Sequence, residues 1–350
     1  MSPPSSPPLS AKRPKQELDE QTEQQQEQQQ GNNRSSKRQN SSMLDYFISS
    51  NRVNFRALAA ETIALLPNVL SAVPHVSTRA YTYDPNNLPR LRSQHCPRIA
   101  TSIQVKVVNE DTLDAAINVG NCARYMTIKD KQPVCILNMA NAYTPGGGFR
   151  NGAMAQEEAI CYRSSLYFTL KNRYYPLHEF GGLFSPNVLV FRNNDTRRTV
   201  MDLTRPDKLP IVCAVSVAAI NSPNTIKEEV KREAPEAAEN GLSTVVVNER
   251  YADFRDREKT KEKMRVILRI AAYNRCRRLV LGAFGCGAFR NPNREVARCW
   301  AEVLRETEFR GGWWETIVFA VYDPHTTEDE IDPESNYGVF REILDGMTIS

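Results

Sequence analysis

The chain has 350 residues, a length that accommodates one large domain or two ordinary ones. Apolar residues make up 41% and charged residues 25%, a globular composition that excludes a fibrous or wholly disordered protein. The formal net charge of +4, from 45 basic and 41 acidic residues, does not indicate a duplex-binding protein, and no apolar run approaches the roughly 18 residues of a membrane span.

The first 42 residues differ from the rest of the chain. They contain nine glutamines and almost no large apolar side chains, so they cannot bury enough surface to offset the entropy of folding. We expect a disordered tail over residues 1–42 and a folded domain over residues 43–350. The tail lacks the apolar segment of a secretory signal. The tail has two basic clusters, at residues 12–15 and 37–38, of which the first resembles a nuclear-import signal. The alternative is that they are merely solvated. We therefore expect a nuclear or cytoplasmic protein.

Hydrophobic periodicity predicts the secondary-structure elements in chain order. Helices are predicted over residues 51–66, 111–119, 156–171, 252–274 and 293–306. An extended connection is predicted over residues 74–98, and strands over residues 103–108, 133–138, 187–191, 210–217, 243–247, 278–284 and 316–322. This alternation favours a three-layer α/β/α fold, with a mixed, mainly parallel central sheet and an N-terminal helical extension.

Two glycine-rich loops follow predicted strands at the carboxyl edge of this sheet, where ligands bind in such folds. The first contains Gly146, Gly147 and Gly148, and the second contains Gly285 and Gly287. Free amides in glycine turns form concave anion sites, so two such turns suit the binding of a diphosphate. Neither loop fits the phosphate-binding motif of triphosphatases or the fingerprint of dinucleotide dehydrogenases, which argues against both classes.

Gln156, Glu157 and Glu158 begin eight residues after Gly148, at the start of a predicted helix. Adjacent carboxylates beside such a loop suit glycosidic chemistry, in which an acid protonates the leaving oxygen and a carboxylate activates water. The pair alone has a simpler explanation, because acidic residues in a first helical turn favour the helix dipole. Its position beside two glycine loops favours catalysis.

The segment from Asn138 to Tyr167 closely resembles the signature of the microbial-type poly(ADP-ribose) glycohydrolases, whose catalytic unit is a macrodomain. The hallmark of this family is Gly-Gly-Gly, a short spacer and Gln-Glu-Glu, and the spacer here has seven residues. Residues 282–289 resemble the second diphosphate loop, and residues 107–116 and 318–323 resemble flanking segments. The resemblance implies one enlarged macrodomain that hydrolyses ribose–ribose O-glycosidic bonds of poly(ADP-ribose) and releases ADP-ribose, with no cofactor.

The resemblance also implies roles for individual residues. Glu158 is expected to protonate the departing ribose oxygen and then act as base toward water, with burial supplying its protonated fraction. Glu157 is expected to orient the ribose, and Gln156 to position a loop or cap the helix. The expected substrate contacts are Asn141 and Phe289 to the distal ribose, Gly146, Gly147 and Gly148 to the diphosphate and ribose, and Gly285, Cys286 and Gly287 to the diphosphate. Asn141 also fits a plain turn residue, and Phe289 a core residue.

Asp111 occupies the place of a macrodomain acid that contacts the adenine amino group, although it also fits an N-cap. Cys286 is not expected to be a nucleophile, because no histidine lies near it in the sequence. No metal is expected for the chemistry, since the four histidines lack ligand spacing and none of the eight cysteines falls in a C-x-x-C pair. The cysteines are expected to be free thiols.

Two further features bear on where the polymer is cut and on a partner protein. Animal-type relatives carry a large accessory domain that this chain lacks, which implies a compact site that removes terminal units of the polymer. Residues 40–47 resemble the sliding-clamp docking motif of replication and repair proteins, with Met43, Tyr46 and Phe47 as anchors and Asn40 in place of glutamine. The alternative is that these residues begin the folded domain.

The expected partners are poly(ADP-ribose) and ADP-ribosylated proteins, with no membrane and no direct binding of duplex DNA. Two other functions stay open. One is a non-catalytic macrodomain that binds ADP-ribose, and the other is a hydrolase for mono-ADP-ribose on protein or nucleic acid. A binding module needs the glycine loops but not Glu157 and Glu158, so the presence of both glutamates favours an enzyme.

Overall fold

The computed structural model of the chain describes residues 55–73, 76–120, 133–232, 244–326 and 330–350. All of them belong to the compact unit that spans residues 55–350. The predicted tail and the predicted docking residues Met43, Tyr46 and Phe47 lie outside the described residues. The domain boundary between residues 42 and 43 therefore stays a prediction.

Most strands of the described residues belong to one central sheet. In chain order, the strands are β1 (Tyr81–Tyr83), β2 (Ile103–Gln104), β3 (Lys106–Val108), β4 (Val134–Met139), β5 (Gly182–Leu189), β6 (Ile211–Val217), β7 (Thr225–Arg232), β8 (Thr244–Tyr251), β9 (Arg278–Leu281), β10 (Thr316–Ala320) and β11 (Thr348–Ile349). Seven strands form the central sheet in the order β1-β5-β6-β4-β9-β10-β3. The four pairings from β6 to β3 are parallel, and the two that involve β5 are antiparallel. The predicted mixed, mainly parallel sheet is confirmed.

Helices cover both faces of this sheet. They are α1 (residues 55–71), α2 (Thr112–Gly120), α3 (Gln156–Arg163), α4 (Leu166–Thr169), α5 (Phe254–Tyr273), α6 (Asn293–Leu304) and α7 (Asn336–Leu344). Alternation along β4 separates the layers, because successive side chains of a strand point to opposite faces. Ile136 packs in a cluster with residues of α2 and α3, whereas its neighbour Leu137 packs with residues of α5, α6 and α7. The predicted three-layer fold is confirmed, and none of the described helices is long and apolar enough to cross a membrane.

The strand predicted over residues 103–108 is wrong as a single element. It divides at Val105, which is buried and whose amide donates to the carbonyl of Met347 at 2.9 Å. On one side of this point β2 pairs antiparallel with β11, and on the other side β3 pairs parallel with β10. The apolar run is continuous in sequence, but its backbone changes partners in the middle.

The helix predicted over residues 156–171 is interrupted by two serines. α3 ends at Arg163 because Ser164 adopts an extended conformation, with φ −142° and ψ 175°. The Ser165 amide donates to the Leu189 carbonyl at 2.9 Å, and the Leu189 amide donates to the Ser165 hydroxyl at 2.9 Å. Serine side chains and backbone thus bond to β5 instead of continuing the helical pattern.

Several other boundaries differ from the sequence prediction. β5 begins at Gly182, five residues before the predicted strand, and it contains Pro186 at a register shift between Ser185 and Val188. Proline lacks an amide donor and is tolerated in a strand at such an irregularity. β7 and α7 were not predicted. In β7, the charged sequence lacks a clear apolar alternation. α1 extends beyond the predicted end to residue 71.

Candidate active site

The two glycine loops meet at one edge of the central sheet. β4 and β9 are adjacent and parallel, so the loops that follow them leave the sheet on the same side. Gln156 lines a cavity of about 460 Å³ together with Gly285, Gly287 and Phe289 of the second loop. The structure therefore places the start of α3 and the second loop at one cleft, at the carboxyl ends of parallel strands, where such folds bind ligands.

The first loop is shaped around the two glutamates. Gly146 and Gly147 have left-handed φ values of +69° and +56°, a conformation that favours glycine. A Cβ atom on Gly147 would collide with Oε1 of Glu158 and would lie 3.1 Å from Oε2 of Glu157. The amide of Gly147 donates to the Thr144 carbonyl at 2.9 Å. Glycine is therefore required here because the carboxyl groups press against the loop backbone.

Glu157 is a buried carboxyl group, with 3% of its surface exposed. Its Oε2 accepts a hydrogen bond from the Asn141 amide at 2.8 Å, and its Oε1 accepts one from Nδ2 of Asn138 at 3.2 Å. Burial raises the pKa of Glu157 from 4.5 to about 8, against the lowering effect of these hydrogen bonds, and the charge of Glu158 raises it further. Glu157 therefore holds a proton at neutral pH.

Glu158 follows in the same helical turn and is also buried, with 6% exposed. Its Oε1 accepts a hydrogen bond from the Gly148 amide at 2.6 Å. Its Oε2 is buried and has no hydrogen-bond partner among the described residues. A buried carboxyl oxygen is rarely left without a partner. This oxygen is consequently the atom of the pair that has an unused hydrogen-bonding capacity.

Asn138 and Ser216 support Glu157 and were missed by the sequence analysis. Asn138 is fully buried in β4, and its Nδ2 bonds both Glu157 and the hydroxyl of Ser216, the latter at 3.0 Å. Ser216 lies opposite it in β6. The available signal was a polar residue within an otherwise apolar strand, since buried polar groups in strands require a partner.

Gln156 and Asn141 fix the backbone around the glutamates. Gln156 accepts from the Met139 amide at 2.9 Å and donates to the Leu137 carbonyl at 2.6 Å, which ties the start of α3 to the end of β4. Oδ1 of Asn141 accepts from the amides of Tyr143 and Thr144, at 2.8 and 2.9 Å. Gln156 thus joins a helix to a strand, and the Asn141 side chain forms a turn.

The second loop presents open backbone to the cleft. Gly285 has a φ of +77°, and Asn291 holds its carbonyl through Nδ2 at 3.1 Å. Burial raises the pKa of the Cys286 thiol, which agrees with the expectation that it is not a nucleophile. Gly287 is exposed, and a Cβ added to it would meet nothing within 4 Å. Phe289 is half-buried, packs against the core and lines the cleft.

Asp111 lies near the same cleft. Its Oδ1 accepts from the Leu113 amide at 2.9 Å, as an N-cap does, and it forms an ion pair with the buried Arg163 of α3. Asp111 also lines two further cavities, of about 250 and 530 Å³. Met154 lines both of them together with the first cavity, so the three cavities adjoin one another. The N-cap role is observed, and the contact to adenine stays a prediction.

Comparison with known proteins agrees with this geometry. Residues 51–193 match the family model of the catalytic domain of microbial-type poly(ADP-ribose) glycohydrolase, abbreviated PARG. Among proteins with curated descriptions, none is significantly similar to the chain.

Several solved structures are similar to the chain. PARG from Thermomonospora curvata has a TM-score of 0.58 and 25% identity, over 82% of this chain and 98% of that chain. PARG from Deinococcus radiodurans in complex with ADP-ribose has a TM-score of 0.54 and 27% identity, over 76% of this chain and 94% of that chain. The resemblance stated from the sequence, the macrodomain-like fold and the glycosidase class are thereby confirmed.

The fit of Glu158 against Gly147 predicts unequal effects of two glycine substitutions. Gly147→Ala should lower the free energy of unfolding by roughly 2 kcal/mol, since it adds a left-handed alanine and a collision. Gly287→Ala, in the second loop, should stay within about 0.5 kcal/mol of the wild type. Urea denaturation of both variants measures the difference. Equal stability of the two variants would contradict the packing of Glu158 on the loop.

The raised pKa of Glu157 predicts a pH-dependent stability. Between pH 4.5 and about 8 the folded chain holds a proton that the unfolded chain has lost, so the free energy of unfolding should fall as pH rises through this window. Glu157→Gln removes the titration and should gain stability relative to the wild type at pH 9, by a few kcal/mol at about 1.4 kcal/mol per pH unit. Denaturation of both proteins from pH 5 to pH 9 tests this expectation, and parallel curves would exclude it.

Proposed function

We propose that this chain, which carries the catalytic domain of a microbial-type PARG over residues 51–193, hydrolyses the ribose–ribose O-glycosidic bonds of poly(ADP-ribose) and releases ADP-ribose. The observation that carries the proposal is the pair of buried carboxyl groups, Glu157 and Glu158, held against a glycine loop at the ligand edge of the sheet. The ADP-ribose complexes of the similar Deinococcus radiodurans enzyme support it.

In the proposed reaction, Glu158 is the acid and base. Its Oε1 is held by the Gly148 amide, which leaves the unpartnered Oε2 to give a proton to the departing ribose oxygen. The glycosidic bond then breaks to an oxocarbenium-like ribose, and Glu158 takes a proton from the water that adds to it. Glu158 is thus protonated again, and the cycle consumes one water molecule for each bond.

Glu157 is uncharged at neutral pH and places no second negative charge beside Glu158. Burial raises its pKa to about 8, and the charge of Glu158 contributes to that shift. Glu157 orients the ribose hydroxyls, while Asn138 and the Asn141 amide hold its own carboxyl in place.

The two glycine loops have different tasks in this proposal. The amides of Gly147 and Gly148 already donate to Thr144 and Glu158, so the first loop holds the catalytic carboxyls. The second loop takes the diphosphate, since Gly287 is open to the cleft. Phe289 packs on the distal ribose. Asn141 also contacts this ribose. Gly146 approaches the diphosphate from the first loop, and Gly285 and Cys286 close over the diphosphate from the second. Asp111 contacts the adenine amino group.

The setting of the activity is proposed from the sequence alone. The basic clusters of the tail support a nuclear or cytoplasmic protein that acts on ADP-ribosylated proteins in the DNA damage response. Met43, Tyr46 and Phe47 are proposed to dock on a sliding clamp. A peptide of residues 34–52 that shows no binding to the clamp at high micromolar concentration would remove this part of the proposal.

Glu158→Gln provides the direct test of the catalytic role. The amide side chain keeps an oxygen for the Gly148 amide but has no proton to give, so kcat for ADP-ribose release from the polymer should fall by about 1,000-fold. The dissociation constant for ADP-ribose should change little. Glu302→Gln, a surface glutamate of α6 bonded to Arg257, is the matched control and should retain full activity.

The same assay separates the alternatives. Release of ADP-ribose from polymer, lost in Glu158→Gln, supports the proposal. Binding of ADP-ribose without turnover by the wild type would instead show a binding module. Release from singly modified protein and not from polymer would show a mono-ADP-ribosyl hydrolase.

We expect cleavage to occur at the ends of the polymer. Phe289 and the two loops enclose the distal ribose in this proposal, which leaves little room for a chain that continues beyond it. A long, end-labelled polymer should therefore give ADP-ribose as the early product, while its mean length decreases slowly. Gel separation of the products over time measures this, and early fragments of several units would show internal cuts instead.

A further inference from the structure

Three cysteine sulfur atoms converge in the core, away from the candidate active site. Cys135, Cys213 and Cys276 are buried, and their Sγ atoms all lie within 4.8 Å of one another. The Sγ atoms of Cys213 and Cys276 are 3.6 Å apart. The three residues come from distant parts of the sequence, so no ligand spacing was visible in the chain.

Neighbouring strands bring these residues together. Cys135 and Cys213 lie opposite each other on the parallel strands β4 and β6. Cys276 precedes β9, on the other side of β4, and follows a turn in which Arg275 has a left-handed φ of +58°. Cys135 is four residues before the end of β4, so the cluster lies about 13 Å from the catalytic edge.

Ordinary core packing explains one buried cysteine, since a free thiol behaves as a small apolar side chain. A disulfide would use two of the sulfurs and needs a separation of about 2.05 Å. Three sulfurs that all lie within 4.8 Å of one another, with one pair 3.6 Å apart, fit a different arrangement. An ion bound at about 2.3 Å from each of three thiolates holds them about 3.8–4.0 Å apart.

We propose that Cys135, Cys213 and Cys276 form a binding site for one thiophilic divalent cation of the zinc and cadmium class. Thiolates select soft cations over Mg²⁺ or Ca²⁺. Binding forms three metal–sulfur bonds and releases the protons of the thiols to water, with no change in oxidation state. The site is independent of the proposed hydrolysis, in which no metal takes part.

Titration of the reduced, metal-free, full-length protein with Cd²⁺ tests the proposal. Sulfur-to-cadmium absorbance in the ultraviolet should saturate at one ion per chain, and protons should be released as the ion binds. Cys213→Ser and Cys276→Ser should each weaken binding at least 100-fold. Cys299→Ser, a buried cysteine of α6 outside the cluster, is the matched control and should bind as the wild type does. A large excess of Zn²⁺ should compete with Cd²⁺ for the same site and lower the sulfur-to-cadmium absorbance.

Two measurements on the wild type do not depend on whether the variants fold. The ¹¹³Cd NMR signal should report three sulfur ligands, and the melting temperature should rise with the concentration of Cd²⁺ because the ion binds the folded state. A signal from oxygen or nitrogen ligands would overturn the proposal. Equal binding by the wild type and Cys213→Ser, or equal loss in Cys299→Ser, would also overturn it.

Discussion

The burial of Glu157 and Glu158 beneath the first glycine loop is the constraint on which the rest of the site depends. A carboxyl group that leaves water needs hydrogen-bond donors or a proton. The Asn141 amide, Nδ2 of Asn138 and the Gly148 amide supply the donors, and they belong to β4 and the loop that follows it. α3 must therefore begin beside this strand, and the loop between them must approach closely enough to exclude a side chain at Gly147.

Both ends of α3 are fixed in a way that meets this requirement. At its start, the side-chain amide of Gln156 bonds the backbone of β4 through its oxygen and its nitrogen. At its end, Arg163 is buried and forms ion pairs with Asp111 and Asp114 of the neighbouring helical segment. The Tyr162 hydroxyl donates to the loop carbonyl of Ala153 at 2.8 Å. The catalytic carboxyls thus stand on a short helix held by strand, helix and loop, and their positions do not depend on the loop alone.

Local sequence patterns predicted the elements that bury a continuous apolar face. They failed where hydrogen-bond partners from distant segments determine the backbone conformation. The runs of β4 and β6 and the periodicity of α5 are local signals, and these elements occur where they were expected. The break at Val105 depends on Met347, and the break at Ser164 depends on β5, so neither is visible in a local window. The same reasoning applies to the site. Adjacent glutamates and glycines were recognisable, whereas the support from Asn138 and Ser216 required the register of two strands.

The raised pKa of Glu157 has a second consequence for the proposed substrate, which is an anion. Two ionised carboxyls would repel a diphosphate, and a pair of unit charges 4 Å apart interacts by about 4 kcal/mol at an effective dielectric constant near 20. Because burial raises the pKa of Glu157 to about 8, the pair holds a proton at neutral pH and carries one negative charge less. The burial of Glu157 therefore reduces this repulsion. A site of this kind can bind a diphosphate through backbone amides without an array of lysines, which agrees with a net charge of only +4 on the whole chain.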